Sequence, residues 1–324
     1  MQDGKYYVVA VDVRQPEFME PGEFCDEFLE ADLREMENAR RATRGCEQVY
    51  NLAADMGGMG FIDSNQYSLL LNNRRISENM VEASRENGVR RFFFASSACV
   101  YNMEKQTSAN DCALREEDAY PAMPQDSYGR EKLSAEEFAL QCAKDFPSDM
   151  QVRIARYHNV YGPRGTWKGG REKAPAACCR KAVTSTEAFE MWGDGDQTRS
   201  FMYIDDCVEG TILIMMSDCD IPLNLGSEET ISIKQLAELA LSFEGKHIPW
   251  KFVDGPQGVR GRSSDNTKLE AQRDWKPRVP LNEGLRKTYE WIKQQVMTDK
   301  GGGADVSEFS SSVIVKQAMS TTMF

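Results

Sequence analysis

The fold of this chain is decided by residues 91–101, which read RFFFASSACVY. The run begins with consecutive apolar side chains and ends in small polar ones, among them Ser97 and Cys99. A short continuous apolar run is typical of a strand that is buried on both faces of a parallel sheet. Ligands of open α/β sheets bind at the carboxyl ends of such strands. The run therefore predicts a parallel α/β sheet with Ser97 and Cys99 at its ligand-binding edge.

Predicted strands and helices alternate on both sides of this run, which indicates a doubly wound parallel sheet of the Rossmann-like type. The predicted strands cover residues 5–12, 28–34 (running into a helix), 48–54 and 151–156, and the helices cover residues 66–87 and 127–144.

The pattern changes after residue 162, where a glycine-rich loop begins. We interpret residues 163–299 mainly as a smaller α/β substrate-binding lobe, with late elements that return to the sheet. Residues 300–324 are rich in Ser and Gly, and we predict that they form a mobile C-terminal tail. The expected elements of the lobe are helices from 174, at 205–216, at 233–243 and at 281–295, and strands at 189–192 and 200–204.

The first strand of a dinucleotide-binding fold leads into a glycine-rich turn, and an acid ends the second strand. Asp12 has the position of that acid, but too few residues precede its strand to form the first strand and turn. Residues 1–162 are therefore predicted to be a truncated NAD-binding domain, with the first strand absent and the strand ending at Asp12 unpaired beside the strand ending at Ala54. Residues 55–60, DMGGMG, lack the fingerprint spacing, and we expect their glycines to admit a ligand close to the backbone.

The sequence YGREK at residues 128–132 places Tyr128 and Lys132 on one face of a predicted helix. A nearby ammonium favours phenolate, so we expect Lys132 to lower the pKa of Tyr128. Such a base can take a hydroxyl proton while hydride leaves for a nicotinamide. The pair is weak evidence alone, because a solvated helix face gives the same spacing.

Composition excludes several classes of protein. The net charge of -12 argues against general affinity for nucleic acid or anionic membrane. No stretch approaches the roughly 20 apolar residues of a membrane span, and the start lacks a signal peptide, so we expect a soluble cytoplasmic protein. The nine cysteines lack framework spacing and are expected to be reduced; His158 and His247 are the only histidines, so we predict no metal site.

Basic residues cluster at three places in this acidic chain, and we expect a small polyanionic ligand there, although solvated side chains are the alternative for each cluster. The clusters are Arg164, Lys168, Arg171 and Lys173; then Arg180 and Lys181; and finally Arg260 and Arg262.

Seven motifs together resemble those of the GDP-mannose 3,5-epimerase family, which is an NAD-dependent epimerase/dehydratase group of extended short-chain dehydrogenases/reductases. The resemblance covers about residues 5–312. The motifs are NLAADMGGMG at 51–60, SSAC at 96–99, YGREK at 128–132, RYHNVYGP at 156–163, GTWKGGREKAP at 165–175, MWGDG at 191–195 and GVRGRSSDN at 258–266.

The resemblance implies NAD-assisted epimerisation of GDP-D-mannose at C3 and C5 to GDP-L-galactose, with GDP-L-gulose as a side product, on an ascorbate-type pathway. It also implies a homodimer. Tyr128, supported by Lys132, would take the C4 hydroxyl proton as a 4-keto sugar forms. Cys99 and Lys173 would remove and return protons on opposite faces of the sugar.

The resemblance further assigns contacts residue by residue. The cofactor positions would be Asp12, Asp32, Tyr128 and Lys132, and the substrate positions would be Gly57, Ser97, Ala98, Cys99, Asn159, Glu172, Lys173, Ala174, Lys181, Gln197, Thr198, Arg199, Arg262 and Ser312.

Ordinary structural roles remain open for individual residues. Cys99 could be a small buried side chain, and Asp12 and Asp32 could cap turns. Lys173 could be a helix-start lysine, although a cation is disfavoured at a helix N-terminus.

Three other functions also remain open. A nucleotide-sugar 4-epimerase needs no second acid/base pair, and 4,6-dehydratases of this superfamily usually carry Asp-Glu where this chain has Ala98 and Cys99. The third alternative is a catalytically inactive truncated paralogue that binds nucleotide sugar or pairs with an intact subunit. The incomplete glycine turn favours this alternative and predicts little or no NAD binding by the chain.

Overall fold

The computed structural model describes residues 6–110 and 112–317, with the alternating strands and helices that the sequence predicted. In chain order the strands are β1 Val9–Asp12, β2 Glu27–Glu30, β3 Gln48–Asn51, β4 Arg91–Ser97, β5 Ala113–Leu114, β6 Gln151–Tyr157, β7 Val160–Tyr161, β8 Phe189–Trp192, β9 Thr198–Ser200, β10 Met202–Tyr203, β11 Leu223–Leu225, β12 Thr230–Ser232, β13 Trp250–Val253 and β14 Gly261–Ser264. The helices are α1 Met36–Thr43, α2 Met59–Ser64, α3 Gln66–Glu86, α4 Ser127–Asp145, α5 Ala174–Thr184, α6 Ile204–Met215, α7 Ile233–Ser242, α8 Thr267–Arg273 and α9 Leu281–Gly301.

The main sheet has four parallel strands in the order β11-β6-β4-β3. Phe92 and Phe94 of β4 pack with side chains of α1, α3 and α4 on one face, and Phe93 packs with side chains of α6 on the other. Burial of each phenylalanine stabilises the fold by about 1.5–3 kcal/mol. Because helices cover both faces, consecutive phenylalanines can all be buried, and β4 delivers Ser97 to the sheet edge.

The sheet is interrupted between β1 and β3. Strands β1 and β2 form a separate parallel pair, with Asp12 opposite Glu30. Among residues 6–110 and 112–317, neither β1 nor β3 has a second strand neighbour, and both line one cavity. A cleft therefore separates β1, the strand that ends at Asp12, from β3. At this cleft the buried amide of Asn51 has no hydrogen-bond partner within the described part of the chain.

The second lobe has its own apolar core, which α5, α7 and α9 enclose together with β8. Its larger sheet has the order β12-β9-β14-β5, and β8 pairs with β13. The two lobes are interleaved, because β5 comes from the first half of the chain and β11 returns to the main sheet.

The structure differs from the sequence predictions in the first strands. Strands β1, β2 and β3 are shorter than expected, and Lys5 lies outside the described residues. Residues 306–317, which belong to the predicted mobile tail, hydrogen bond to Asn65, Arg180 and Glu190, whereas residues 318–324 lie outside the described residues. No helix in the described ranges is long and apolar enough to cross a membrane.

Candidate active site

A cavity of about 2250 Å³ lies at the carboxyl ends of β3, β4 and β6 and extends to the second lobe. Its walls include every predicted site residue except Thr198, whose hydroxyl donates to the carbonyl of Ala109 at 2.7 Å. The predicted residues that line it are Asp12, Asp32, Gly57, Ser97, Ala98, Cys99, Tyr128, Lys132, Asn159, Glu172, Lys173, Ala174, Lys181, Gln197, Arg199, Arg262 and Ser312.

Helix α4 carries Tyr128 to the end of β4. Asp126 caps the helix by accepting a 2.8 Å hydrogen bond from the backbone N–H of Gly129. A Cβ at Gly129 would lie 2.1 Å from the carbonyl oxygen of Cys99, so a glycine is needed for this close approach. The Tyr128 side chain is buried and interacts with the hydroxyl of Ser97. Gly129, the residue after Tyr128, thus lets α4 approach the end of β4 closely enough for the phenol of Tyr128 to reach Ser97.

The electrostatics of Tyr128 differ from the prediction. Burial raises the pKa of its phenol well above the usual value, and only the hydrogen bond with Ser97 acts strongly in the opposite direction. Lys132 donates to the carbonyl of Ala95 at 3.1 Å, and its Nζ lies 5.8 Å from the centre of the Tyr128 ring. Burial also lowers the pKa of Lys132. The prediction that Lys132 lowers the pKa of Tyr128 is therefore wrong here, because loss of solvation outweighs the cation.

Cys99 lies at the junction of the two lobes. Its backbone N–H donates to Ser97 Oγ at 3.2 Å, which starts a short 3-10 turn. Arg262 of β14 places Nη1 3.4 Å from Cys99 Sγ. Gln106 accepts from Arg262 Nε at 2.6 Å and orients the guanidinium. The thiol of Cys99 therefore accepts a hydrogen bond from a guanidinium that β14 holds in place.

Sequence analysis missed Gln106 as a site residue. Its side-chain amide donates to two backbone carbonyls, those of Tyr101 and Asn102, each at 3.2 Å. Gln106 therefore holds Arg262, a residue that lies 156 positions later in the sequence. No local sequence pattern predicts this role for a glutamine, because its partner Arg262 comes into contact only when β14 packs against this part of the chain.

Lys173 is the N-cap residue of α5 and lies near Cys99. Burial lowers its pKa, and a charge on Cys99 would act in the opposite direction. A cation at a helix N-terminus also meets the positive end of the helix dipole. Both effects favour release of the proton, so Lys173 can donate a proton more readily than an exposed lysine.

The glycines of residues 55–60 allow a close approach of other parts of the protein. A Cβ at Gly58 would lie 2.5 Å from the carbonyl oxygen of Glu172, and one at Gly60 would lie 2.7 Å from the ring of Trp192. The backbone N–H of Gly58 donates to the carbonyl of Arg171 at 3.0 Å, so this loop packs against the loop that carries Lys173. Both glycines also line the cavity, and the close approach of a ligand to their backbone stays a prediction.

Two arginines form a basic wall in the second lobe. Arg199 donates to the carbonyl of Val259 at 2.7 Å, and burial together with the nearby charge of Arg262 lowers the pKa of Arg199 to about 9. Two guanidinium groups that repel each other in a cavity form a favourable site for a phosphate or diphosphate. Gln197, which is buried beside them, has a side-chain oxygen without a partner in the described part of the chain.

The other predicted substrate positions surround this wall. Lys181 donates to the carbonyl of Glu190 at 2.9 Å, and burial lowers its pKa. Asn159 has a positive φ of 39° and donates to the carbonyl of Ser200 at 2.9 Å. The unusual backbone of Asn159 turns the chain from β6 into β7 at the cavity.

Only part of the basic sequence clusters reaches the cavity. Arg171, Lys173, Lys181 and Arg262 line it. Lys168 pairs instead with Asp299, and Arg260 pairs with Asp194 at 3.0 Å on the surface. Fewer basic residues are therefore available to bind a polyanion in the cavity than the charge clusters of the sequence indicated.

The four residues expected to contact NAD all line the cavity. They are Tyr128 and Lys132 of α4, Asp12 at the end of β1, and Asp32 two residues after β2. Each aspartate also caps a turn, by accepting from the backbone N–H two residues ahead, and a hydrogen bond from Arg34 lowers the pKa of Asp32. Within the described ranges, no glycine-rich turn joins a strand to a helix at the cleft between β1 and β3.

The parallel sheet, the strand-end Ser97 and the Tyr128–Lys132 pair define a protein of the short-chain dehydrogenase/reductase class. The sequence profile of the NAD dependent epimerase/dehydratase family matches residues 1–226, and the chain belongs to this family. It is 54% identical over 310 residues to the GDP-mannose 3,5-epimerase of Arabidopsis thaliana, covering 96% of this chain and 82% of that protein.

Another relative and a solved structure agree with this membership. The chain is 53% identical to GDP-mannose 3,5-epimerase 1 of Oryza sativa subsp. japonica, covering 96% of this chain and 81% of the relative. The UDP-glucuronic acid 4-epimerase of Bacillus cereus, solved in complex with UDP-glucuronic acid and NAD, superposes with a TM-score of 0.76 at 25% identity, covering 91% of this chain and 93% of that chain.

Proposed function

We propose that this chain epimerises GDP-D-mannose at C3 and C5 to GDP-L-galactose, with GDP-L-gulose as a side product. The observation that carries the proposal is the convergence of Cys99 and Lys173 on one cavity beside Tyr128. The identity to two GDP-mannose 3,5-epimerases over nearly the whole chain supports the same substrate. A 4-epimerase would need Tyr128 but not the Cys99–Lys173 pair.

The first part of the proposed reaction takes place at C4 of the sugar. NAD, when bound, accepts the C4 hydride and later returns it, so the cycle has no net redox change. Tyr128 Oη accepts the C4 hydroxyl proton, with Ser97 hydrogen bonded to the same group. The product is a 4-keto sugar, whose carbonyl group acidifies the hydrogens at C3 and C5.

Cys99 and Lys173 carry out the second part. Cys99, as thiolate, removes the C5 proton from one face, and the Lys173 ammonium delivers a proton to the opposite face. The same pair inverts C3. Arg262 has a double role in this proposal, because it contacts Cys99 Sγ and forms the basic wall with Arg199. That wall would bind the GDP diphosphate and so place the sugar between the two acid/base groups.

Solvent isotope exchange tests the function. We would incubate the protein with GDP-mannose and excess NAD in deuterium oxide and locate deuterium by NMR. Deuterium at both C3 and C5 supports a 3,5-epimerase. Inversion at C4 without exchange indicates a 4-epimerase, a 4-keto-6-deoxy product indicates a 4,6-dehydratase, and binding without exchange indicates the inactive paralogue; each of these three results contradicts the proposal.

The proposed reaction should have opposing pH dependences. Because burial raises the pKa of Tyr128, its ionised fraction grows with pH, and formation of the 4-keto sugar should accelerate through the neutral and alkaline range. Because burial lowers the pKa of Lys173, its ammonium is lost below the usual lysine range, and proton return at C5 should slow there. Rates of C4 oxidation and of C5 exchange, measured separately against pH, should therefore diverge; parallel profiles would contradict these roles.

The affinity for NAD provides a separate prediction. The described residues include the four positions expected to contact NAD, but no glycine-rich turn at the cleft between β1 and β3 for its pyrophosphate. Each missing hydrogen bond to a charged group costs about 1.5–3 kcal/mol, so loss of two weakens binding by roughly 10²–10⁴-fold. We expect purified protein to carry no NAD and calorimetry to show weak binding. NAD retained through purification would overturn this prediction.

We further propose a cytoplasmic homodimer that acts on an ascorbate-type pathway. All nine cysteines are free thiols, which suits a reducing compartment. Helices α3 and α4 pack together and expose apolar side chains, including Tyr67 and Phe138, which would suit a subunit interface. Sedimentation equilibrium tests the dimer, and cell fractionation tests the location.

A further inference from the structure

The last part of the described chain lies across the cavity. We call residues 306–317 the tail segment; it begins with a short 3-10 turn at Val306–Ser310 and then runs extended. Ser312, Val313 and Gln317 line the cavity together with the candidate catalytic residues. A Cβ at Gly170 would lie 2.8 Å from the carbonyl oxygen of Val313, so the segment packs directly on the glycine-rich loop.

Arg180 of α5 holds the start of the tail segment. Its Nη1 donates to the backbone carbonyls of Phe309 and of Ser311, the latter at 2.9 Å. Its Nε donates to the carbonyl of Trp167 at 3.0 Å, and the rings of Trp167 and Phe309 meet edge to face at 5.6 Å. One buried guanidinium therefore joins α5, the glycine-rich loop and the tail segment.

The same guanidinium holds the residue before Lys173. Arg180 Nη2 donates to Glu172 Oε1 at 2.8 Å, and the two side chains are only 3% and 5% exposed. Glu172 Oε2 accepts from the backbone N–H of Gly170 at 2.7 Å. A buried carboxylate is costly without its cation, so the position of Glu172 depends on Arg180. Lys173 follows directly in the chain and is the N-cap residue of α5.

Two further contacts hold the rest of the tail segment. The backbone N–H of Ser312 donates to Glu190 Oε1 at 2.9 Å. The side-chain amide of Asn65 donates to the carbonyl of Val315 at 2.7 Å and accepts from the backbone N–H of Gln317 at 2.6 Å. These contacts mainly involve backbone groups of the segment, whereas Arg180 hydrogen bonds both to the segment and to Glu172 in the loop of Lys173.

We propose that Arg180 is a positioning residue that couples closure of the tail segment over a bound GDP-sugar to the placement of Lys173. This inference rests on the proposed function for the identity of the ligand. The tail segment releases to admit the sugar nucleotide and closes again through Arg180, which excludes water from the 4-keto sugar while Lys173 faces C5. Arg180 itself lies outside the residues that line the cavity and acts through Glu172.

Hydrogen exchange of backbone amides, followed by mass spectrometry, tests the coupling. The variants are Arg180→Lys, which retains a charge for Glu172 but loses the planar fork, and Arg180→Met, which loses both. Arg278→Met is the control, because Arg278 lies on the surface and pairs with Glu209 at 3.6 Å. In the free protein, both Arg180 variants should speed exchange in residues 311–316 by about tenfold, as expected for loss of one charged hydrogen bond, with the rest of the chain unchanged.

A second hydrogen-exchange experiment adds GDP-mannose. The ligand should slow exchange in the tail segment of the parent protein and of Arg278→Met, and should slow it much less in Arg180→Lys. With excess NAD, Arg180→Lys should lower kcat for C5 exchange about tenfold while 4-keto formation remains near normal, which a general loss of stability would not produce.

Three results would overturn the coupling. The first is that Arg180→Lys leaves hydrogen exchange in the tail segment unchanged, and the second is that it speeds exchange over the whole chain. The third is that GDP-mannose does not slow exchange in the tail segment of the parent protein. Calorimetry separates the two proposals: GDP-mannose that binds without protecting the tail refutes the coupling alone, whereas absence of GDP-mannose binding refutes the proposed function as well.

Discussion

Replacement of Cys99 by alanine should reduce deuterium exchange at C5 by about 10²–10⁴-fold, the usual contribution of a general base. The thiol lies 3.4 Å from the guanidinium of Arg262, and it can accept the C5 proton while Lys173 faces it. Oxidation at C4 depends on Tyr128 and should continue. The 4-keto sugar should therefore accumulate without exchange at C5.

The measurement is NMR detection of deuterium at C5 together with trapping of the 4-keto sugar by borohydride. Cys99→Ser should behave like alanine, because a hydroxyl ionises far less readily than a thiol. Cys142→Ala is the matched control, since Cys142 is a half-buried thiol at the far end of α4 that does not line the cavity. Full C5 exchange in Cys99→Ala would assign the base to another residue.

Replacement of Tyr128 by phenylalanine should reduce formation of the 4-keto sugar by about 10²–10⁴-fold. Exchange at C3 and C5 should fall equally, because the ketone is what acidifies both hydrogens. The ring of Tyr128 packs in an apolar cluster with Phe61, Ile62 and Leu69, so phenylalanine should preserve the packing. The loss should therefore appear as a catalytic defect in a protein of normal stability.

Single-turnover formation of reduced nicotinamide measures this step, and thermal unfolding checks the stability. Tyr120→Phe is the matched control, because its hydroxyl is exposed and bonds Glu137 at 2.9 Å. The two variants also show which step comes first. Cys99→Ala should form reduced nicotinamide without exchange at C5, and Tyr128→Phe should show neither reduced nicotinamide nor exchange. Normal 4-keto formation in Tyr128→Phe would refute the proposed role of the phenol.

Much of the main sheet could be predicted from the sequence. Residues 92–95 are apolar without interruption, and they lie in β4 as expected, because a strand covered on both faces needs apolar side chains in both directions. The helix of residues 127–145 was also predicted within one residue. Motif resemblance indicated the cavity residues, and the structure brings all but Thr198 to one cavity.

Three features of the site depend on residues that are distant in the sequence. The spacing of Tyr128 and Lys132 was predicted correctly, but burial dominates the pKa of the phenol. Gly58 and Gly60 make room for Glu172 and Trp192. The composition of the tail segment predicts mobility, and its contacts with Arg180, Glu190 and Asn65 come from other parts of the chain.

The sequence by itself determined the parallel sheet and the serine and cysteine at the end of β4. These features follow from local periodicity and motif spacing, which act within a few residues. Only the tertiary structure decided that Arg262 contacts Cys99 across 163 positions, that Gln106 orients Arg262, and that Arg180 joins the tail segment to Glu172. The physical reason is that burial and charge at each site are set by the packing of the two lobes, and that packing depends on the whole chain.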